Sequence, residues 1–217
     1  MKLVREFLNE RMGFTEDGDP VKDMGIGKDH LIHKWMSEHG IAKHKYRITS
    51  KKRIIGDDTF VFSNHSIEEL PEYIQFAHIN GSFHIDNCDL KTLKVMPELI
   101  QGSFFCSNNN LKSSGLIGGP KQVIGAYAAS NCGLESLEGI ATKIEGEIYI
   151  NNNFLHSLEF IPEHVADLYM TSNPITTLKY FPKEISGNLY ISASKLIPDK
   201  HAILRICDVT NGQIYLL

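Results

Sequence analysis

The sequence predicts an α+β protein whose larger part is a solenoid, in which short coils stack around a parallel β-sheet of about eight strands. Three observations support this prediction. A segment repeats at a period of 20–23 residues, each copy carries two apolar residues two positions apart, and residues 1–57 do not repeat. A single copy cannot bury its own apolar face, so neighbouring copies must stack.

Most copies begin with glycine. Five of them, GSFHIDNCDL, GSFFCSNNNL, GAYAASNCGL, GEIYINNNFL and GNLYISASKL, begin at Gly81, Gly102, Gly125, Gly146 and Gly187. Ala166 takes the glycine position in ADLYMTSNPI, an earlier copy begins at Asp58, and a half-copy, GQIYLL, begins at Gly212. Residues 58–217 therefore contain seven full copies and one terminal strand.

Within each copy, two apolar residues two positions apart indicate a short strand with one buried face. An asparagine follows two residues later in five copies, at Asn64, Asn87, Asn108, Asn131 and Asn152. An asparagine amide can both donate and accept hydrogen bonds. We therefore expect these side chains to be buried and to bond the backbone of stacked coils.

The limb that leads from one copy to the next is short and often contains proline, at Pro97, Pro120, Pro162 and Pro182. We expect a loop there, with at most a 3₁₀ turn. With this period and this asparagine, residues 58–217 resemble bacterial-type leucine-rich repeats with short coils. GSFFCSNNNL and GEIYINNNFL are closest to the LxLxxNxL pattern. A β-helix with a longer period is the alternative.

Residues 1–57 are predicted to form an N-terminal helical cap with a basic hairpin, because a solenoid needs its open end covered. Apolar residues recur at helical spacing in residues 2–12 and again in residues 28–39, where Gly40 ends the second helix. Trp35 lies on the apolar face of that helix, so we expect it in the core of the cap. We predict two strands around a basic turn, at residues 46–49 and 53–55.

The string FTEDGDPVKDMGIG, residues 14–27, is followed by HKWM in the second helix and by LPEYIQF, INGSF and CSNNNL further on. Together these strings resemble leucine-rich-repeat-like proteins encoded by large tailed bacteriophages, and the resemblance covers nearly the whole chain. It implies expression in the cytoplasm of an infected bacterium. It implies no activity, because the family has no assigned biochemistry.

Composition and motifs argue against several functions. The formal net charge of −4 argues against general nucleic-acid binding, and no apolar run approaches the roughly 20 residues of a membrane helix. The N-terminus lacks the apolar region of a signal peptide. The four cysteines form no CxxC pair, the ten histidines are scattered, and no catalytic motif occurs. We therefore expect no enzymatic activity, catalytic residue, metal or cofactor.

Between each pair of buried apolar residues lies one outward residue, and these residues are Val61, His84, Phe105, Ala128, Tyr149, Tyr169, Tyr190 and Tyr215. Phe105 and the four tyrosines form what we call the aromatic stripe. Glu147 and Asp167 flank it on one side. Exposed aromatic rows are typical of binding surfaces, so these seven residues are the predicted partner-binding site. The alternative is that cross-strand aromatic contacts only stabilise the sheet.

The sequence favours a non-enzymatic protein–protein interaction module, a phage accessory protein that binds a host or phage protein through the aromatic face of its sheet. One alternative is a structural phage component that self-associates through the stripe or through residues 213–217. A third reading is a nucleic-acid-binding accessory protein. Residues 1–57 hold 12 Lys and Arg against 9 Asp and Glu, whereas the rest holds 10 against 17. The third reading would use the basic cluster Lys43, Lys45, Arg47, Lys51, Lys52 and Arg53.

Overall fold

The computed structural model describes residues 27–112 and 115–217, and these residues form a parallel β-solenoid with few helices. This solenoid confirms the repeat architecture that the 20–23-residue period predicts. The predicted helix in residues 2–12 and most of the FTEDGDPVKDMGIG string lie outside the described residues. In most repeats, the two apolar residues of the predicted strand are buried in the core of the solenoid, and the residue between them lies on the outer face.

Helix α1 spans Lys28–Glu38 and ends where the sequence predicts, with Gly40 in the left-handed region at φ +76°. It buries Ile32, Trp35 and Met36. The Trp35 ring lies 5.3 Å from the ring of Phe62, which belongs to the first coil. The helix therefore covers the apolar edge of that coil, and Trp35 is a core residue as expected.

The predicted hairpin forms strands β1 (Tyr46–Ile48) and β2 (Ile54–Gly56), which pair antiparallel. Strand β2 also pairs in parallel with β4 (Phe76–Ile79), the next strand on the same side of the solenoid. The hairpin is therefore continuous with one of the solenoid's sheets.

The first sheet holds the predicted strands. Within the described residues it has eight strands, which are Phe60–Val61 (β3), Phe83–His84 (β5), Phe104–Phe105 (β7), Tyr127–Ala128 (β9), Ile148–Tyr149 (β11), Leu168–Tyr169 (β13), Leu189–Ile191 (β15) and Ile214–Leu216 (β17). All neighbours are parallel, and equivalent residues of successive copies lie opposite each other.

The prediction that the segments between successive copies are loops was wrong, because these segments also contain strands. A second sheet has the order β1-β2-β4-β6-β8-β10 and includes Leu99–Ile100 (β6), Gln122–Val123 (β8) and Lys143–Ile144 (β10). A third sheet contains His164–Val165 (β12), Glu184–Ile185 (β14) and Asp208–Val209 (β16). Most of these strands are two residues long and bury one residue, so they produce no alternating pattern.

The last coil is longer than the others, because 25 positions separate Gly187 from Gly212 (212 minus 187). The short helix α2, Lys200–Leu204, occupies part of the extra length. Asp199 caps it by accepting a hydrogen bond from the backbone N–H of Ala202. Ile203 is the helical residue that reaches the core.

The expectation that the asparagines at positions 64, 87, 108, 131 and 152 are buried was wrong. These five residues are exposed, and their φ angles lie between +54° and +65°, in the left-handed region. Asparagine adopts this conformation more readily than other side-chain-bearing residues. The repeat therefore uses it to turn the chain after the first five strands of the first sheet, and Ser172 takes the same conformation after the sixth, with φ +58°.

The buried amide is the next residue along the chain. Asn109 is 7% exposed, and its Oδ1 accepts hydrogen bonds from the backbone N–H groups of Cys88 (3.0 Å) and Leu90 (2.9 Å). Its Nδ2 donates to the carbonyl oxygens of Ile85 and Cys106, each at 2.8 Å. One amide thus joins two neighbouring coils. Asn153 repeats all four contacts, and Asn173 repeats three of them.

Cysteine replaces this asparagine in alternate coils. The Cys88 thiol donates to the carbonyl oxygen of Phe62 at 3.0 Å, and the Cys132 thiol donates to that of Cys106 at 3.2 Å. By repeat position, these two carbonyls are equivalent to the Ile85 carbonyl, which Asn109 binds in the preceding coil. The cysteines are free and buried, so Cys88 and Cys132 serve here as small hydrogen-bond donors.

The repeated glycine has a steric cause. The Gly146 N–H bonds the Gly125 carbonyl at 3.2 Å, and a Cβ added at Gly146 would lie 2.5 Å from the Gly125 carbonyl carbon. No Cβ fits at that distance from a backbone atom. Glycine therefore permits the close approach of successive coils.

We expect Asn109→Ala to destabilise the protein, because it leaves four buried backbone groups without their partner. An unsatisfied buried polar group costs about 1–3 kcal/mol, so a loss of at least that size should appear in urea unfolding. Asn110→Ala is the matched control, since Asn110 is the exposed neighbour. Equal unfolding midpoints for the two variants would contradict this assignment.

Gly146→Ala should also destabilise, by about 1–3 kcal/mol, because backbone atoms cannot move aside for the new methyl group. Gly27→Ala serves as the control, since an added Cβ there would meet no atom within 4 Å. Thermal unfolding followed by circular dichroism measures both. A Gly146→Ala protein that melts with the wild type would show that the coils tolerate wider spacing.

The free energy of unfolding should fall as the pH rises from 9 to 11. Burial raises the pKa of the Cys207 thiol from 9.0 to about 11, and burial also raises the pKa of the Tyr127 phenol. In this window the unfolded chain releases protons that the folded chain retains, so alkali favours unfolding. Urea midpoints measured across the window test this, and Cys207→Ala should show a smaller decline. An identical decline in both proteins would exclude Cys207 as a contributor.

Candidate interaction surface

The register of the first sheet places the predicted outward residues in one column. Val61, His84 and Phe105 pair in succession, and Tyr149, Tyr169, Tyr190 and Tyr215 pair in succession after Ala128. Each lies between two inward residues, because side chains alternate along a strand. The column therefore has the composition that the sequence predicts.

The four tyrosines form one continuous stack. Ring centroids lie 4.4 Å apart for Tyr149 and Tyr169, 4.3 Å for Tyr169 and Tyr190, and 4.5 Å for Tyr190 and Tyr215. The interplanar angles are 13°, 8° and 6°. The rings are half-buried except for Tyr215, which is 37% exposed. The hydroxyl-bearing edges of a rigid aromatic row thus face outward along four coils.

Phe105 does not belong to this stack. Its ring stacks on His84 with centroids 4.5 Å apart, and Ala128 separates the pair from Tyr149. The predicted stripe is therefore divided into a two-ring stack and a four-ring stack. His84 is the aromatic partner that the predicted site omitted, although the sequence placed it in the same column.

Packing and neighbouring charges act on Tyr149 and Tyr169. Burial raises the pKa of Tyr149, and Glu147 raises it further. Burial is also the main cause that raises the pKa of Tyr169, with Tyr149 as the next contributor. Both effects disfavour the ionised phenolate forms of Tyr149 and Tyr169.

The two predicted acidic residues have different surroundings. Glu147 is exposed. Asp167 accepts hydrogen bonds from the Asn188 backbone N–H at 2.7 Å and, at 3.5 Å, from the Tyr169 hydroxyl. Asp167 thus bonds the strand of the next coil, a role that Ser82 and Ser103 play in earlier coils. Among the predicted residues, Glu147 is the carboxylate that the fold leaves available.

The outer face carries no Lys or Arg. Three columns compose it, which are the stripe column and the columns two residues before and two residues after it. The column before contains Thr59, Ser82, Ser103, Ala126, Glu147, Asp167, Asn188 and Gln213, and the column after contains Ser63, Asp86, Ser107, Ser130, Asn151, Thr171, Ser192 and Leu217. None of the residues in these three columns is Lys or Arg. Depletion of lysine and enrichment of tyrosine are typical of protein-binding surfaces.

The basic cluster of the hairpin is largely paired with carboxylates. Lys45 contacts Asp58 at 2.9 Å and Lys52 contacts Asp29 at 2.8 Å. Arg47 and Arg53 contact Asp57 and Glu98, at 3.3 and 2.9 Å. Four of its six cations therefore have an acidic neighbour, which reduces the positive potential that a phosphate backbone requires.

In the part of the chain that the structure describes, His, Cys, Asp and Glu form no group of three that could hold a metal ion. None of the described helices has the length and apolar character needed to cross a membrane. Comparison with protein-family models, with curated proteins and with solved structures found no match to this chain.

Proposed function

We propose that this protein is a non-enzymatic interaction module that binds another protein through the outer face of its first sheet. The observation that carries the proposal is the composition of that face, which combines a rigid tyrosine stack with a complete lack of lysine and arginine. Tyrosine offers large contact area with little loss of side-chain entropy, whereas lysine loses much of its entropy on binding. Such a face is suited to a specific protein contact.

The proposed setting follows from the sequence resemblance. In this proposal the coils are of the leucine-rich-repeat type, and the chain is a bacteriophage accessory protein that acts in the cytoplasm of the infected host. The buried amides of Asn109 and Asn153 support the repeat type, since they occupy the asparagine position of LxLxxNxL in GSFFCSNNNL and GEIYINNNFL. The partner is then a host or phage protein.

Tyr149→Ala combined with Tyr169→Ala should abolish capture of the partner, because the pair removes the N-terminal half of the four-ring stack and leaves Tyr190 and Tyr215 alone. Immobilised wild-type and variant proteins would be incubated with infected-cell lysate, and retained proteins identified by mass spectrometry. The variant loses two ring contacts of about 0.5–1.5 kcal/mol each, so it should remain folded. Phe160→Ala is the control, because Phe160 is an exposed aromatic residue outside the face.

The decisive readout is a protein retained by the wild type and by Phe160→Ala but not by the double variant. If the double variant retains the same proteins and only melts earlier, the stack stabilises the sheet and the proposed function fails.

A second candidate function is self-association as a structural component. Among the described strands, β17 pairs with β15 alone, and residues 212–217 carry no charge. An uncharged edge strand is a template for pairing with another chain. Sedimentation velocity at increasing protein concentration distinguishes this candidate, because it requires a concentration-dependent rise in mass without any other protein.

A further inference from the structure

A polar groove runs along the corner at which the strands of the first sheet end, and we call it the amide groove. One wall is formed by Asn87, Asn108, Asn131 and Asn152, the turn residues of four successive coils. Asn110 and Phe154, each two positions after a turn asparagine, also line the groove. The groove has a volume of about 600 Å³. Strand spacing gives four coils a span of about 14 Å along the solenoid axis.

The groove offers hydrogen-bonding groups that the fold does not use. Asn131 Nδ2 donates to Asn108 Oδ1 at 2.9 Å, which leaves Asn131 Oδ1 and Asn108 Nδ2 without a bond to any described residue. The side chains of Asn110 and Asn152 also form no hydrogen bond within residues 27–112 and 115–217. The buried Asn109 on the groove floor is fully bonded by contrast. Each amide can donate two hydrogen bonds and accept two.

Backbone conformation explains only part of this arrangement. The four asparagines of the first wall have a left-handed φ, for which asparagine is suited. Asn110 does not have a left-handed φ, so the turn does not require an asparagine there. Its amide is a surface group for which no residue in 27–112 or 115–217 provides a hydrogen-bond partner.

An aromatic ring lies beside these amides. Phe154 is 62% exposed, and Gly133 precedes it in the equivalent position of the neighbouring coil. Gly133 presents no side chain between Asn110 and Phe154 at this repeat position. Phe154 therefore supplies the aromatic ring among the lining residues of the groove.

The groove is nearly uncharged. Asp89 is the carboxylate in its lining, and no lysine, arginine or histidine is among the lining residues within 27–112 and 115–217. These residues therefore offer no cation to an anion and a single carboxylate to a cation. The lining therefore favours a neutral ligand rich in hydrogen-bonding groups.

We propose that the amide groove binds a neutral saccharide, most simply a linear oligosaccharide that runs across the coils. Sugar hydroxyls both donate and accept, which matches the unpaired amide groups. One face of a sugar ring carries C–H groups, which suit the negative face of the Phe154 ring. A bound peptide strand would need apolar pockets for alternate side chains, whereas the lining residues are mostly asparagines. This proposal is independent of the tyrosine face.

The test uses cellopentaose, maltopentaose and chitopentaose as probes, added to the full-length protein. We expect at least one of them to shift the side-chain amide signals of Asn110 and Asn152 in ¹H–¹⁵N spectra and to give a measurable Kd by calorimetry. Phe154→Ala and Asn110→Ala should each weaken that Kd about tenfold or more, equal to about 1.4 kcal/mol. Both residues are exposed, so their variants should melt with the wild type.

Phe160→Ala is the matched control, because it removes an exposed phenylalanine outside the groove and should leave the Kd unchanged. The double variant Tyr149→Ala/Tyr169→Ala should also bind the sugar normally, which separates this site from the tyrosine face. The proposal is overturned if none of the three sugars shifts the amide signals, or if Phe154→Ala leaves the Kd unchanged. Tighter binding of an uncharged Gly-Ser peptide than of any sugar would overturn it as well.

Discussion

Every coil of this solenoid completes the backbone hydrogen bonding of the coil beside it, and the remaining features follow from that constraint. The Phe83 N–H donates to Ser103, one coil further on, and the Phe104 N–H donates to Ala126 in the same way. Parallel strands so paired must lie about 4.8 Å apart. The chain meets this spacing with glycine where backbones approach closely and with a left-handed asparagine at the turn after five of the strands. A buried amide or thiol satisfies the groups left between coils.

The same spacing organises both candidate binding surfaces. Residues at one repeat position become neighbours in space, so a preference for tyrosine at that position creates a stack, and a preference for asparagine creates a ladder. The two surfaces differ in chemistry, because the sheet face presents aromatic edges with hydroxyls and the corner presents free amides. Their separation on the coil means that each can be altered without removing the other.

The outward column could be read from the sequence, because alternation along a strand is strict and Tyr149, Tyr169 and Tyr190 repeat at a constant position. The buried amide was missed for a physical reason. Cysteine occupies its position at Cys88 and Cys132, and a small thiol can donate to the same carbonyl, so the column is not uniform. Asparagine occupies the turn position in five successive copies, before Ser172 and Ala193 replace it, and this run led to the assignment of the buried amide to the turn position. The second sheet was missed because a two-residue strand with one inward side chain has no period.

The aromatic residues of this chain also supply two independent optical reporters. Its single tryptophan, Trp35, packs against Phe62 at the first coil, whereas the stacked tyrosines occupy the last four strands of the first sheet. Indole fluorescence thus monitors one end of the solenoid, and near-ultraviolet circular dichroism of the coupled phenols monitors the other. Because coils interact mainly with their neighbours, the two signals can report the order in which the ends open. The placement of these rings thus allows cooperativity along the axis to be measured without adding a label.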